Sequence, residues 1–481
     1  MKYIKYTEKR MRYEMKISIL SAVVLAAGIT AFAFTKTEAN EQKQADCLYV
    51  SPGGNDQNEG TKEKPFRTLK HASEEAAAGT TVLIREGTYD ETFEVKHSGT
   101  AEKPITFKNY ENEKVVISGK SAAHTDSETP LIQIRNKNYI TIHGVTLENL
   151  SVSSEDATAM GIYVTGSSSH ITIDSNHVQN IKTTADEGNA HGIAFYGTDG
   201  MKDIKVTNNT VEKLTIGASE AVVLNGNIDG FTIADNTIRN NNNIGIDVIG
   251  YEGTAKQNDY VRNGVIENNT VSDNSSYGNP AYGDEYSAGG IYVDGAEHVE
   301  IKKNTVYNND LGIEATSEHK GKYATDIRIT ENKVYNNAYT GISIGGYDEK
   351  RGGTMNSVIA HNILYRNDTK NNLDGGQLLL QYDTKRNTIE KNIMTASGSR
   401  IFIANDFTKN EGNTVNHNVY HKEAGKNGIW NWKNKKYNSF AAYQKGTKND
   451  SDSIYADPMY RDEASYDFTL KPESPAWPVI K

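Results

Sequence analysis

The chain of 481 residues has one cysteine, Cys47, so no intrachain disulfide can form and stability must come from packing. The sequence Gln44-Ala45-Asp46 before it does not make a lipidation signal. No long basic run follows residue 39, and the net charge is −10 with a pI near 5.7. That excludes the electrostatic footprint of a nucleic-acid-binding protein. Long apolar runs are equally scarce: the one present, Ile17 to Phe34, follows Lys2, Lys5, Lys9, Arg10, Arg12 and Lys16 and precedes Thr37-Glu38-Ala39. Residues 1–39 therefore read as a secretory signal, with Met15 as a second candidate start. Cleaved, it leaves a secreted or cell-surface bacterial protein with no stable membrane insertion; uncleaved, it is long enough to anchor the chain.

What the chain has in abundance is a repeat. A short apolar strand, an asparagine and a second short apolar strand recur every 26 to 35 residues, at Asn176, Asn209, Asn236, Asn269, Asn304, Asn332, Asn362, Asn392 and Asn418. A period of this length means stacked units, none able to bury its apolar face alone. Alternation is two-residue and β-branched, as in Ile171/Ile173 and Ile204/Val206, so the units are strands. A further strand of the form G-I-x-apolar-x-G follows each asparagine segment, at Gly161, Gly192, Gly245, Gly290 and Gly341. The expected fold is all-β, a right-handed parallel β-helix, with the asparagines hydrogen-bonded from rung to rung at one corner.

One elongated body accounts for the whole length. Residues 40–137 are expected to form an N-terminal cap and first coils, 138–421 the repeats, and 422–481 a C-terminal capping segment. Helical spacing over Pro65 to Ala78, ending at Gly79, predicts a capping helix over the first coil. From Lys422 to Lys448 the repeat lapses into a peripheral loop or short helix carrying Trp430 and Trp432, candidates for sugar stacking.

In a G-I-x-apolar-x-G strand the x positions point away from the interior. Read in order, these outward pairs carry carboxylates only at Asp247, Asp294 and Glu314, on three consecutive rungs. Rung and strand spacings put neighbouring members roughly 8 Å apart, and Asp247 and Glu314 roughly 9.6 Å apart in one column. Carboxylates that close repel unless a proton or a cation joins them. Two uses fit. They could converge on Ca²⁺ beside a uronate, with a basic residue removing the acidified proton. Alternatively, two could act as acid and base in inverting glycoside hydrolysis. A third possibility is a wet acidic stripe on a non-catalytic carbohydrate-binding or surface protein.

Basic residues recur just past one edge of the stripe: His319, Lys320 and Lys322, then Lys350 and Arg351, then Lys385 and Arg386. Lys320, Lys350 and Arg351 are candidate bases, and His319 a candidate proton carrier. The longest insertions, Tyr251 to Arg262 and Ser272 to Ala288, lie at the same rungs and predict walls of a groove for an extended polysaccharide. Tyr286, Tyr292, Tyr347, Tyr382 and Asn225 are the expected sugar contacts.

The opening of the mature segment carries YVSP from Tyr49, GTKEKPF from Gly60, REGTY from Arg85 and KPITF from Lys103. The tail carries Ser439-Phe440, Tyr443-Gln444, SIYADP from Ser453, DFTL from Asp467 and ESPA from Glu473. Together they resemble secreted right-handed β-helix proteins of the pectin-lyase-like superfamily, which includes polysaccharide lyases and glycosidases. The resemblance implies a polysaccharide-degrading enzyme, foremost a lyase with calcium on acidic side chains and a lysine or arginine base. The adjacent aspartates and Gly-His-Gly of a polygalacturonase-like site are absent.

Overall fold

In the computed structural model, residues 47–122, 127–423 and 427–481 are described. The expected secretory signal lies outside them. Among the described residues no helix is long and apolar enough to cross a membrane.

The chain winds into a parallel β-solenoid whose coils present three strand-bearing faces. One face is a 13-stranded sheet running from Gly87–Tyr89 to Ile454–Tyr455. The other two join into a 27-stranded sheet, because strands such as Asn189–Thr207 and Val222–Ala234 run through the corner between them. The G-I-x-apolar-x-G strands form one of these joined faces, here the site face. Its inward isoleucines and valines, including Ile246, Val248, Ile291, Val293 and Ile313, are 0% exposed and belong to one core that follows the coil axis. The leading glycines have a packing reason: a Cβ on Gly312 would sit 2.3 Å from the Gly341 carbonyl oxygen one coil on.

Side-chain amides tie the corners, in two long ladders. At the expected one, each asparagine accepts from the backbone N–H and the side-chain amide of its predecessor, as Asn304 Oδ1 does from Asn269 N (2.9 Å) and Nδ2 (3.0 Å). The residue before each ladder asparagine, from Ser175 to His417, has φ between 55° and 59°. That left-handed turn disfavours L-residues by roughly 1–2 kcal/mol, which the ladder bonds offset. A second ladder, not expected from the sequence, runs Asn241, Asn274, Asn309, Asn337, Asn367 and ends on Gln377. It holds the corner that enters the site face.

The capping helix exists but is shorter than its spacing predicts, covering Leu69–Glu75. Thr68 caps it by accepting from His71 N–H, and the Glu91 carboxylate accepts from Leu69 and Lys70 N–H. Phe66 instead makes a parallel bridge to Val50, which draws Pro65–Arg67 out of the helix. At the other end the repeat does not lapse. Ile429–Trp432 adds another strand to the site face by pairing with Ile401–Ala404, and the helix Phe440–Thr447 closes it. Trp430 is 0% exposed among Phe402, Tyr420 and Tyr443, which removes it as a sugar contact. The last residues then turn back along the outside of the 13-stranded face. There Tyr466 stacks on Tyr335 at 4.6 Å and Asn336 donates to its hydroxyl at 2.9 Å.

Candidate active site

The expected register of the acid stripe holds. Asp247 pairs with Tyr292 and Tyr292 with Glu314, so these three form one outward column; Asp294 lies in the next, between Ile249 and Thr316. The stripe is not an open wet face, however. Asp247 is 0%, Asp294 1%, Tyr292 5% and Glu314 8% exposed, which rules out solvated surface acids. The reason is that loops fold over it from both edges. On the entering edge, the 273–288 insertion is pinned by the buried Asp310 carboxylate, which accepts from Ser275 Oγ and the N–H groups of Ser276, Ser287 and Ala288. Residues 251–260, 317–322 and 346–352 cover the leaving edge.

Burial decides the charge state of Glu314. Removal from water, reinforced by the nearby Glu318 carboxylate, pushes its carboxyl up to about 8, so it is protonated near neutrality. Ser343 Oγ and Gln381 Nε2 each lie 3.4 Å from its Oε1. The Tyr292 hydroxyl, 3.4 Å from Glu318 Oε1, is raised well above its ordinary value by burial and by Asp294, Glu318, Glu314 and Asp247. Tyr339, on the entering corner of the next coil, is raised to about 12 by burial and by Glu314. Glu314, Tyr292 and Tyr339 thus present an acid proton and two phenol protons side by side.

The expected calcium trio does not converge. Among the described residues, the set whose ligand atoms come together is Glu252, Asp294 and His319, all within 4.8 Å of one another. Asp247 and Glu314 stand apart from it, separated from each other by the Tyr292 rung. The donor set that does form contains an imidazole and so does not match the all-oxygen shell of six to eight ligands that Ca²⁺ takes. Asn225 is not a sugar contact either. It is 0% exposed, donates to Glu252 Oε2 (3.0 Å) and accepts from Thr254 Oγ1 (2.6 Å), so it holds the 251–260 loop.

The basic candidates separate by depth. Arg351 is 7% exposed; its guanidinium lies over the Tyr347 ring at 4.8 Å and bonds the Tyr347 hydroxyl, and it remains charged, raised by Tyr347 and Glu318. Lys320 and Lys350 are exposed turn residues at the rim. His319 sits in the 317–322 turn with the metal-capable set. Tyr286 lines the opposite edge, stacked on Tyr277 at 4.7 Å under Lys370. Tyr382 lies further along, its hydroxyl taking a 2.7 Å bond from Lys409.

Sequence reasoning missed Glu252, Glu318 and Tyr339. The first two had a signal: each follows a stripe strand at the edge where the basic residues recur, at Tyr251-Glu252 and Ser317-Glu318. Tyr339 gave none, because it belongs to a corner rather than to the stripe.

Residues 48–281 match a family model described as Pel9A-like, right handed beta helix region, and residues 289–442 one described as Right handed beta helix region. The chain is 75% identical over 463 residues to uncharacterized protein YwoF of Bacillus subtilis (strain 168), covering 96% of this chain and 99% of that one. It is 37% identical over 83 residues to pectate lyase PEL9 of Emericella nidulans, which is 17% of this chain and 20% of that protein. Among solved structures, the GH136 lacto-N-biosidase from Eubacterium ramulus superposes with a TM-score of 0.52 at 15% identity. That match covers 79% of this chain and 64% of the biosidase, so the chain spans less than two thirds of it. The A-module of the Azotobacter vinelandii mannuronan C-5 epimerase AlgE6 gives 0.51 at 14% identity, over 79% of this chain and 91% of the module. Both structural likenesses are of fold. The chain belongs to the pectin-lyase-like superfamily of right-handed parallel β-helix proteins, in one family with YwoF.

Proposed function

We propose that this protein is an exported carbohydrate-active enzyme that cleaves an acidic polysaccharide by β-elimination. The observation that carries this reading is a carboxyl held protonated near neutrality, Glu314, on the stripe, with a buried guanidinium, Arg351, and a cation-capable cluster in the loops and strand end at its leaving edge. Elimination from a uronate requires positive charge against its carboxylate, a base for the proton on the adjacent carbon and a donor to the departing glycosidic oxygen. Arg351 supplies fixed charge, and Glu314 donates to the leaving oxygen. The base role falls to Lys320 or Lys350, whose flexible four-carbon stems leave the same loops as His319 and Arg351. The Tyr277–Tyr286 stack and the face of Tyr347 away from Arg351 offer aromatic surface to the sugar chain. The Pel9A-like match over residues 48–281 supports the class. Incubation with a panel of acidic polysaccharides is expected to yield unsaturated, ultraviolet-absorbing ends, and absence of such product from every member refutes elimination.

A second reading, inverting hydrolysis, is favoured by one specific feature: Asp247 and protonated Glu314 share a column two rungs apart. Their roughly 9.6 Å backbone spacing suits an acid and a water-activating base. New reducing ends without ultraviolet absorbance select it.

A further inference from the structure

We infer that Glu252, Asp294 and His319 form a site for a first-row transition dication of the Zn²⁺ type rather than for Ca²⁺. The inference stands on geometry and donor chemistry and does not depend on which bond the enzyme breaks. Three successive coils supply the ligands: Glu252 from the loop after Ile246–Ile249, Asp294 from the end of Gly289–Asp294, and His319 from the turn after Leu311–Thr316. Their ligand atoms already lie within 4.8 Å of one another. Around an ion bound at about 2.0–2.2 Å, tetrahedral ligands stand roughly 3.4 Å apart, so rotations of about an ångström close the site.

The imidazole supplies the independent evidence. His319 Nε2 is buried and meets no hydrogen-bond partner. Leaving such an atom dry costs about 1–3 kcal/mol, and it belongs to the imidazole that contributes a ligand nitrogen to the set with the two carboxylates. An imidazole nitrogen grouped with two carboxylates is satisfied by a dication, and imidazole selects Zn²⁺-like ions over Ca²⁺.

The supporting shell orients each ligand. Asn225 Nδ2 holds Glu252 Oε2 at 3.0 Å, and the Glu318 N–H holds Asp294 Oδ1 at 2.7 Å. The His319 turn is fixed by its own N–H to Ser317 Oγ at 3.3 Å and by Lys322 N–H to its carbonyl at 2.9 Å. Outer contacts of this kind fix ligand geometry in protein metal sites. With three protein ligands, a four-coordinate ion would keep one position for a non-protein ligand, as in zinc sites that bind a substrate oxygen.

The test is metal binding, read without substrate. The full chain, stripped by chelator and titrated calorimetrically, is expected to take up one equivalent of Zn²⁺ at least ~100-fold more tightly than Ca²⁺. H319Q, with an unchanged circular-dichroism spectrum, is expected to lose at least ~30-fold in Zn²⁺ affinity and little in Ca²⁺ affinity. Co²⁺ in the wild type is expected to give visible absorption that H319Q lacks. Tighter binding of Ca²⁺ than Zn²⁺, or wild-type Zn²⁺ uptake by H319Q through scattered surface histidines, overturns the inference. Should H319Q fail to fold, E252Q must show the Zn²⁺ loss, and its equal binding likewise overturns it. Zn²⁺ bound here with no unsaturated product from any polysaccharide would leave this site standing and remove the elimination reading.

Discussion

Replacing Glu314 with glutamine is expected to stabilise the protein while abolishing its activity, and the structure sets the size of the gain. The carboxyl is buried and pushed from an ordinary 4.5 up to about 8. A raised carboxyl binds its proton more tightly folded than unfolded, so the associated stability is full below pH 4.5 and is lost as pH rises toward 8. At about 1.36 kcal/mol per unit, wild type loses about 3 kcal/mol by pH 7 and about 5 kcal/mol above pH 8. E314Q keeps a neutral amide in the same space and escapes that loss. Urea denaturation of both proteins at pH 5, 7 and 9, followed by near-ultraviolet circular dichroism, should show the E314Q advantage growing with pH and levelling off above 8. Parallel stability curves would refute the burial argument, and with it the proton-donor role. Activity of wild type should fall across the same range as the donor proton is lost.

Two further substitutions test the scaffold. N304A removes the acceptor of two bonds from Asn269 and leaves buried donors dry, so a loss of about 2–5 kcal/mol is expected, seen as faster amide exchange at Asn269. A loss under about 1 kcal/mol would show the ladder to be ornamental. G312A forces a Cβ to within 2.3 Å of the Gly341 carbonyl and should cost about 3 kcal/mol or more, measured as a lowered unfolding midpoint.

Legibility divided along physical lines. Coil number and rung register follow from local period-two patterning and a corner residue, so counting from Asn236, Asn269, Asn304 and Asn332 placed Asp247, Asp294 and Glu314 correctly. The second ladder is shorter, running over five asparagines from Asn241 to Asn367 before it ends on Gln377, and each follows a left-handed residue just as the first ladder does, so it was legible in the same period. What the pattern could not carry is coverage. Whether an outward residue is wet depends on where insertions fold, and Asp310 fixes one of them through contacts 22 to 35 residues away in sequence. For the same reason the carboxylates and imidazole that come within reach of one another are one stripe acid, Asp294, and two loop residues, rather than three stripe acids. Side chains at strand positions are spaced by the rungs, whereas loop side chains can close the gaps between them.

The returning tail changes how the molecule must be completed. A solenoid of this kind can add coils one at a time, each finished by the next, but its outer tyrosine row is finished by residues made much later: Tyr335 waits for Tyr466 and Phe468, and Tyr365 for Glu463. The coil can therefore grow to nearly full length while that row is still bare. Its closing contact is a latch rather than another rung, fastening residues 130 positions apart. Until the latch closes, the aromatic row is an adhesive strip on an otherwise polar surface.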